Sequence, residues 1–332
     1  MGNGIYILGM GLSGIYAKMA NKSAISIDKS RFIDIPTRYI YILNGYENDY
    51  ARKERRVDIL DDIKNVDFKN REIKGLNKTY TYDKLIIALG HSQAYENIDG
   101  YENMIKLETS KDADLLKNRL ENSNNVVIIG GGYLGVELAG IIKGKKINLI
   151  NSGKHLLNGI NINASNYIKN KLENMGVNII MNERVMHVTT DRVITNNSEI
   201  LADTVIYAGG ITGNKIIKTF DIKQENSRII VNNKLRSVEY DDVYACGDSM
   251  KIMNLNVPLT AFMARKSGEI SMKNAMGNDL EFKYTASGNI INIGGELLLI
   301  KSNKFQKNGI IKIIKNYVNK KTDKTIKKLN NN

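Results

Sequence analysis

The chain has 332 residues, 42% of them hydrophobic, which is enough to bury the cores of two α/β domains. It carries a single cysteine, which excludes an internal disulfide, a redox thiol pair and a cysteine-rich metal or iron–sulfur cluster, and no metal site is expected. The formal charge of +13 is unevenly spread, and no run of about 18 apolar residues is present to cross a bilayer.

The first element is an apolar run, Ile5 to Leu8, that leads into Gly9-Met10-Gly11-Leu12-Ser13-Gly14 and then a helix-like stretch. A buried parallel strand, a G-x-G-x-x-G turn and a helix N-terminus together make a dinucleotide pyrophosphate site. Gly9 makes the tight turn, Gly11 lets the backbone approach the ligand, and Gly14 packs helix on strand, with Leu12 and Ser13 at the helix start. A second strand ends at Asp28-Lys29, where a carboxylate can accept hydrogen bonds from adenosine ribose hydroxyls. From Arg31 to Asp62 the pattern is irregular. Tyr39, Tyr41, Tyr46 and Tyr50 read as surface aromatics, with a wall beside a bound cofactor as the alternative, and Ala51 to Arg56 as a solvated helix face. Tyr82 to Ser92 is an apolar strand running into Ala88-Leu89-Gly90. His91 beside that turn is either a proton donor or a plain loop histidine.

About 120 residues on, the frame recurs after Val126 to Ile129, with Gly130, Gly132 and Gly135 around Tyr133 and Leu134. The next strand ends at Asn151 rather than at an acid. Asn151 can bond a ribose hydroxyl and nothing beside it repels a 2′-phosphate, so NADH and NADPH both stay open as electron donor. In Tyr207 to Asn214 the paired Gly209-Gly210 lets backbone pass close to a ligand. A further short strand ends at Gly247-Asp248, with Cys246 inside it as a packing residue. Two such frames in one chain point to two bound dinucleotides and electron transfer between them.

These segments together resemble the FAD-dependent pyridine-nucleotide oxidoreductases with two dinucleotide-binding domains, over roughly residues 3–270. The resemblance implies that Gly9, Gly11, Gly14, Asp28, Ala88, Gly90, Gly247 and Asp248 belong to FAD, and that Gly130, Gly132, Gly135, Glu137 and Gly210 belong to the nicotinamide side. Glu137 is the catalytic candidate, orienting the nicotinamide; an acid stabilised by its helix N-terminus is the alternative. Pro258 to Gly277 and the residues after it resemble type II NADH dehydrogenases, single-chain flavoenzymes that pass electrons from NADH to a membrane quinone. That family carries Ala-Gln-x-x-x-Gln near its quinone. The aligned positions here are Ala261, Phe262 and Lys266, a departure that leaves these three as the candidate quinone residues.

The fold class expected is α/β, with two Rossmann-like domains. Residues 1–108 and 239–275 form a discontinuous FAD domain, with the NAD(P)H domain, 109–238, inserted. Residues 276–332 add short strands (Lys283 to Thr285, Ile290 to Ile293, Glu296 to Ile300, with Ser287-Gly288 as a turn) and a basic amphipathic tail. From Lys301 to Asn332 ten lysines face one acid, Asp323, so nine of the thirteen net charges lie there. Ile310, Ile313, Ile314 and Tyr317 fall at helical spacing with lysines opposite. They suit an interfacial helix on an anionic membrane; a helix docked on the body with a frayed Lys/Asn end is the alternative. No nucleic-acid motif is present, and none is expected as partner. The first strand begins by residue 4, leaving no room for a signal peptide, so the expected location is the cytoplasmic face of the cell membrane, peripherally bound. A homodimer is left open. The function expected is electron transfer from NAD(P)H through FAD to a quinone-type acceptor. A soluble reductase of a small electron-carrier protein and a non-enzymatic flavin redox sensor are the alternatives.

Overall fold

The computed structural model describes residues 4–95, 98–284, 288–301, 304–307 and 309–331. Among these are eight α-helices: α1 (Leu12–Ala20), α2 (Tyr39–Leu43), α3 (Asn48–Ala51), α4 (Ser110–Glu121), α5 (Tyr133–Ile141), α6 (Ile162–Asn174), α7 (Ala261–Ala275) and α8 (Ile310–Asn330). Each glycine frame leaves the middle strand of its own five-stranded parallel sheet. The first sheet runs Val243–Ala245, Lys84–Ile87, Ile5–Leu8, Ile25–Asp28, Ile59–Leu60. The second runs Met104–Lys106, Thr204–Tyr207, Asn125–Ile129, Lys146–Asn151, Asn178–Met181. Their strands are near-continuous apolar runs because the sheets are buried on both faces: Ile7, Leu8, Leu85, Ile86, Val126, Val127 and Ile128 have no exposed surface.

The two halves repeat each other further. Each inserts an antiparallel meander between two parallel strands: Ile63–Asp67, Glu72–Gly75 and Thr79–Thr81 in the first, Val185–Val188, Arg192–Thr195 and Glu199–Leu201 in the second. An antiparallel ribbon, His91–Gln93 with Ile211–Gly213, ties the halves together. The first sheet is completed only by Val243–Ala245, after the chain has passed through the second, so the first unit is discontinuous and the second inserted. Helix α7 then packs on α1 with no room for a side chain between them: a Cβ on Gly268 would sit 2.1 Å from the Ser13 carbonyl oxygen.

A small antiparallel sheet, Asn289–Ile293, Glu296–Lys301 and Lys304–Gln306, presses Ile291, Ile293, Leu298 and Ile300 into the core around α5. The strand expected at Lys283 to Thr285 does not form over Lys283 and Tyr284, and Thr285, like Ser287, lies outside the described residues.

Three expectations about the remaining segments are corrected. Ala51 to Arg56 is not one helix face: Ala51 closes α3, Arg52–Glu54 pairs as a strand with Phe32–Asp34, and Arg55 is buried. The tyrosines are surface aromatics only in part: Tyr46 is exposed, but Tyr41 and Tyr50 are half-buried. Tyr39 is buried and donates to the Glu108 carbonyl at 2.8 Å, while Tyr41, Tyr46 and Tyr50 form a ring cluster at 5.0–5.5 Å. Finally, α8 does not fray. It runs 21 residues and crosses that tyrosine cluster, with Lys315 over the Tyr41 ring and Asp323 paired at 2.9 Å with the buried Arg38. Ile311, Thr322, Ile326 and Leu329 are its buried face, and Ile326 and Leu329 join the core beside α1. Each such aliphatic side chain contributes roughly 1.5–3 kcal/mol on burial. Ile310, Ile313, Ile314 and Tyr317, the face read from the spacing, are exposed.

Candidate functional site

The two frames solve one steric problem twice. Gly9 has φ +91°, and a Cβ there would meet the Ala88 carbonyl oxygen at 2.4 Å; Gly130, at φ +111°, would meet that of Ala208 at 2.4 Å. A Cβ on Gly14 would lie 2.0 Å from the Gly9 oxygen, and one on Gly135 would lie 1.9 Å from the Gly130 oxygen. The middle glycines differ in kind. Gly11 and Gly132 have ordinary negative φ, and no protein atom lies within 4 Å of a Cβ built on either. Their missing side chains therefore leave space for something other than this protein. Behind each stands a helix N-terminus, α1 or α5, whose amides and partial positive charge suit a pyrophosphate. Leu12 and Ser13 open α1, with Ser13 buried; Tyr133 and Leu134 open α5, with Tyr133 exposed and its hydroxyl accepting from Asn289 at 2.9 Å. Ala208, the counterpart of Ala88, escaped the sequence reading because it lies about 75 residues beyond the turn that it packs against.

At the end of the second strand, Asp28 accepts from the Met10 amide at 2.7 Å and the Ser30 amide at 3.0 Å, and pairs with Arg55 at 2.7 Å. Burial pulls the Arg55 guanidinium down, and the Asp28 carboxylate partly restores it. Arg55 is 4% exposed, yet its Nε and Nη1 have no partner. Buried donors are rarely left orphaned, so this pocket fits the adenosine end of a dinucleotide. Lys29 is exposed beside it. The equivalent position in the second half is Asn151, whose Oδ1 accepts from Gly131 at 3.2 Å and whose Nδ2 donates to the Gly153 and His155 carbonyls.

Where the first half meets the ribbon, Gly90 adopts φ +74° with open space around it and donates its amide to Ser249 at 2.9 Å. His91 Nδ1 lies 2.8 Å from Asp248, and Gly247 at φ +62° sits against Ser13. Cys246 is fully buried between these elements, and desolvation pushes its thiol up to about 12, so it is inert at neutral pH. Gly210, at φ +129° with no atom near its Cβ position, accepts from Ala94 across the ribbon.

Glu137 lies one turn into α5 and faces away from the glycine turn towards the added segment. It accepts from the Asn292 amide at 2.9 Å and has Lys315 and Tyr41 as electrostatic neighbours. Desolvation raises its carboxyl to about 7, only partly opposed by Lys315 and the Asn292 amide. Of the three quinone candidates, Ala261 and Phe262 are exposed at the start of α7, and Lys266 donates to the Lys283 carbonyl at 2.5 Å. None of the three lines the nearby cavity of about 290 Å³. The opposite face of α7 does, through Met263 and Ala264, together with Asp248, Arg228 and the apolar Leu255, Val257 and Leu259. No cluster of metal-ligating side chains occurs among the described residues.

Two parallel sheets with paired glycine cradles, one of them backed by an acid and an arginine with orphaned donors, define a flavoprotein with two dinucleotide sites. The chain belongs to the pyridine nucleotide-disulphide oxidoreductase family, which it matches over residues 9–268. Its cofactors are FAD and NAD(P)H. It is 26% identical over 204 residues to a nitric oxide reductase FlRd-NAD(+) reductase of Klebsiella pneumoniae, covering 59% of this chain and 54% of that one. It is 26% identical over 284 residues to a type II NADH:quinone oxidoreductase of Haemophilus influenzae, covering 68% of this chain and 64% of the relative. The chain thus spans between half and two-thirds of these relatives' lengths. The sulfide:quinone oxidoreductase of Aquifex aeolicus superposes with a TM-score of 0.85 over 99% of this chain and 92% of its own, at 15% identity, and so shares the fold.

Proposed function

We propose that this protein is an oxidoreductase that passes electrons from NAD(P)H through FAD to a quinone-type acceptor at a membrane surface. The observation that carries the reading is the outer face of α8. Ile310, Ile313 and Tyr317 are 62, 68 and 64% exposed on a helix otherwise seated on the body, with Lys312 and Lys320 exposed beside them. Aliphatic side chains displayed among lysines suit the acyl–headgroup boundary of an anionic leaflet. No helix among the described residues is both long and apolar enough to cross a bilayer.

Bound FAD supplies the two-electron relay between donor and acceptor. On the donor side, the second cradle holds the nucleotide pyrophosphate at Gly132 and the N-terminus of α5. On the acceptor side, the cavity beside Asp248 offers an apolar wall to a quinone ring, and Arg228, which lines it, has a buried Nε with no partner to meet a carbonyl oxygen. Met253, Leu255, Leu259 and Phe262 are exposed in the same stretch of chain, an apolar approach for a lipid-soluble molecule. His91, oriented by Asp248 at the cavity wall, is the side chain placed to pass a proton there.

The test is co-sedimentation with phosphatidylglycerol vesicles. Replacing Ile310, Ile313 and Tyr317 together with Asp should release the protein from vesicles, with melting temperature and NADH turnover on a soluble quinone analogue unchanged. Binding that survives the triple substitution refutes the membrane reading. Turnover with an electron-carrier protein but not with quinones would replace it with the carrier-reductase reading. Point substitutions are needed because removing residues 303–332 would strip Ile326 and Leu329 from the core.

A further inference from the structure

The last turn of α8 reaches the pocket at the carboxyl end of the second strand, where a Rossmann-type unit receives adenosine. A cavity of about 330 Å³ there is lined by Arg31, Glu54, Arg55, Arg56, Val57 and Asn330. Five of the six belong to the first 60 residues, and the sixth comes from the far end of the chain. Asn330 is bound on both sides of its amide: its Oδ1 accepts from the Arg56 backbone amide at 2.7 Å, and its Nδ2 donates to the Glu54 carbonyl at 3.0 Å. It thus brackets Arg55, the residue whose Nε and Nη1 are orphaned and whose Nη2 holds Asp28. Leu329 and Ile326, 3 and 4% exposed, fix the turn in place.

We propose that Asn330 is a flavin-retention residue. By pinning the Glu54–Arg56 segment it closes the outer wall of the adenosine pocket, keeps the Arg55 donors aimed at the nucleotide, and makes α8 a clasp over bound FAD. It is a positioning residue: it acts through Arg55 and the pocket wall. The inference rests on the FAD assignment and is independent of the acceptor.

Asn330 is at an exposed helix end, so Asn330→Ala removes two hydrogen bonds without opening the core. Two net hydrogen bonds correspond to roughly a tenfold effect. The rate of FAD release from the holoprotein, followed by flavin fluorescence on dilution, should rise about tenfold in the variant. The affinity of the flavin-stripped protein for ADP, which fills only the pyrophosphate and adenosine end, should fall by a similar factor. The visible spectrum of bound flavin should stay the same, since the ring end is untouched. Asn330→Asp, which retains the acceptor for Arg56 but not the donor to Glu54, should fall between the two. FAD release and ADP affinity within twofold of the parent would overturn the proposal. So would a lowered melting temperature of the flavin-free protein with unchanged ADP affinity, which would make Asn330 merely a helix tether.

Discussion

Glu137 gives the folded protein a pH dependence that its sequence position alone does not reveal. Burial raises the carboxyl from 4.5 to about 7. A group with a raised pKa keeps its proton in the folded protein over a range where the unfolded chain has already released it. Between pH 4.5 and about 7 the unfolded state therefore binds fewer protons, and stability falls as pH rises, levelling off above 7. At about 1.4 kcal/mol for each pH unit, that interval sets a ceiling of roughly 3 kcal/mol. Glu137→Gln retains an oxygen to accept from the Asn292 amide but cannot ionise. The variant should match the parent near pH 4.5 and exceed it by up to about 3 kcal/mol at pH 8. Urea unfolding across this pH range, followed by circular dichroism and expressed as the difference between the two proteins, is the assay. Lys315→Met should extend the parent's decline to higher pH, because it removes the charge that favours the ionised form. A stability difference that does not change with pH would refute this reasoning.

Gly11→Val should yield folded, colourless protein, since no protein atom lies within 4 Å of the Cβ position and the added bulk starts in the flavin's space; a yellow stoichiometric product contradicts this. Gly132→Val should keep its flavin but lose reduction by NADH, and flavin bleaching at the parental rate would show the second cradle to be structural. Cys246 should resist thiol reagents at pH 8 until the protein unfolds, and Cys246→Ala should leave turnover unchanged; labelling of the native protein would contradict its burial. Ile326→Ala should destabilise by about 2–5 kcal/mol, whereas Ile313→Ala should stay within about 0.5 kcal/mol, as thermal unfolding of the two will show.

What could be read from the sequence was what the backbone fixes locally. Gly9 and Gly130 are glycines because a positive φ and a carbonyl 2.4 Å from any Cβ admit nothing else, and such a constraint is written in a few adjacent letters. The period of Ile310, Ile313, Ile314 and Tyr317 was legible for the same reason, but periodicity does not say which face docks. Here Ile326 and Leu329, a turn or more beyond, hold the helix down and leave the isoleucine face free. Arg55 looked like part of a solvated run because its partner, Asp28, is 27 positions away, and Asn330, which holds the Glu54 and Arg56 backbone on either side of it, is still farther off. The cavity lining was missed because the sequence alignment marked Ala261, Phe262 and Lys266, while the inward face of α7 is set by its close contact with α1 at Gly268.

Helix α8 closes the chain back on its own beginning. Thr325 meets Tyr16, Asp323 meets Arg38 and Asn330 meets Glu54, pairs separated by 276 to 309 residues. Contacts of such sequence separation form late, because the loop they close must be ordered first. At typical ribosomal speeds, synthesis of the intervening chain takes on the order of 15–65 s. Through that interval the apolar seat of Ile326 and Leu329 beside α1 is uncovered, and Val243–Ala245 has yet to complete the first sheet for most of it. The second sheet, whose five strands all lie between Met104 and Tyr207, needs nothing from outside that span to pair its strands. The nascent protein should therefore fold from its middle outward, and the unit that emerges first should be the last to become resistant to proteases.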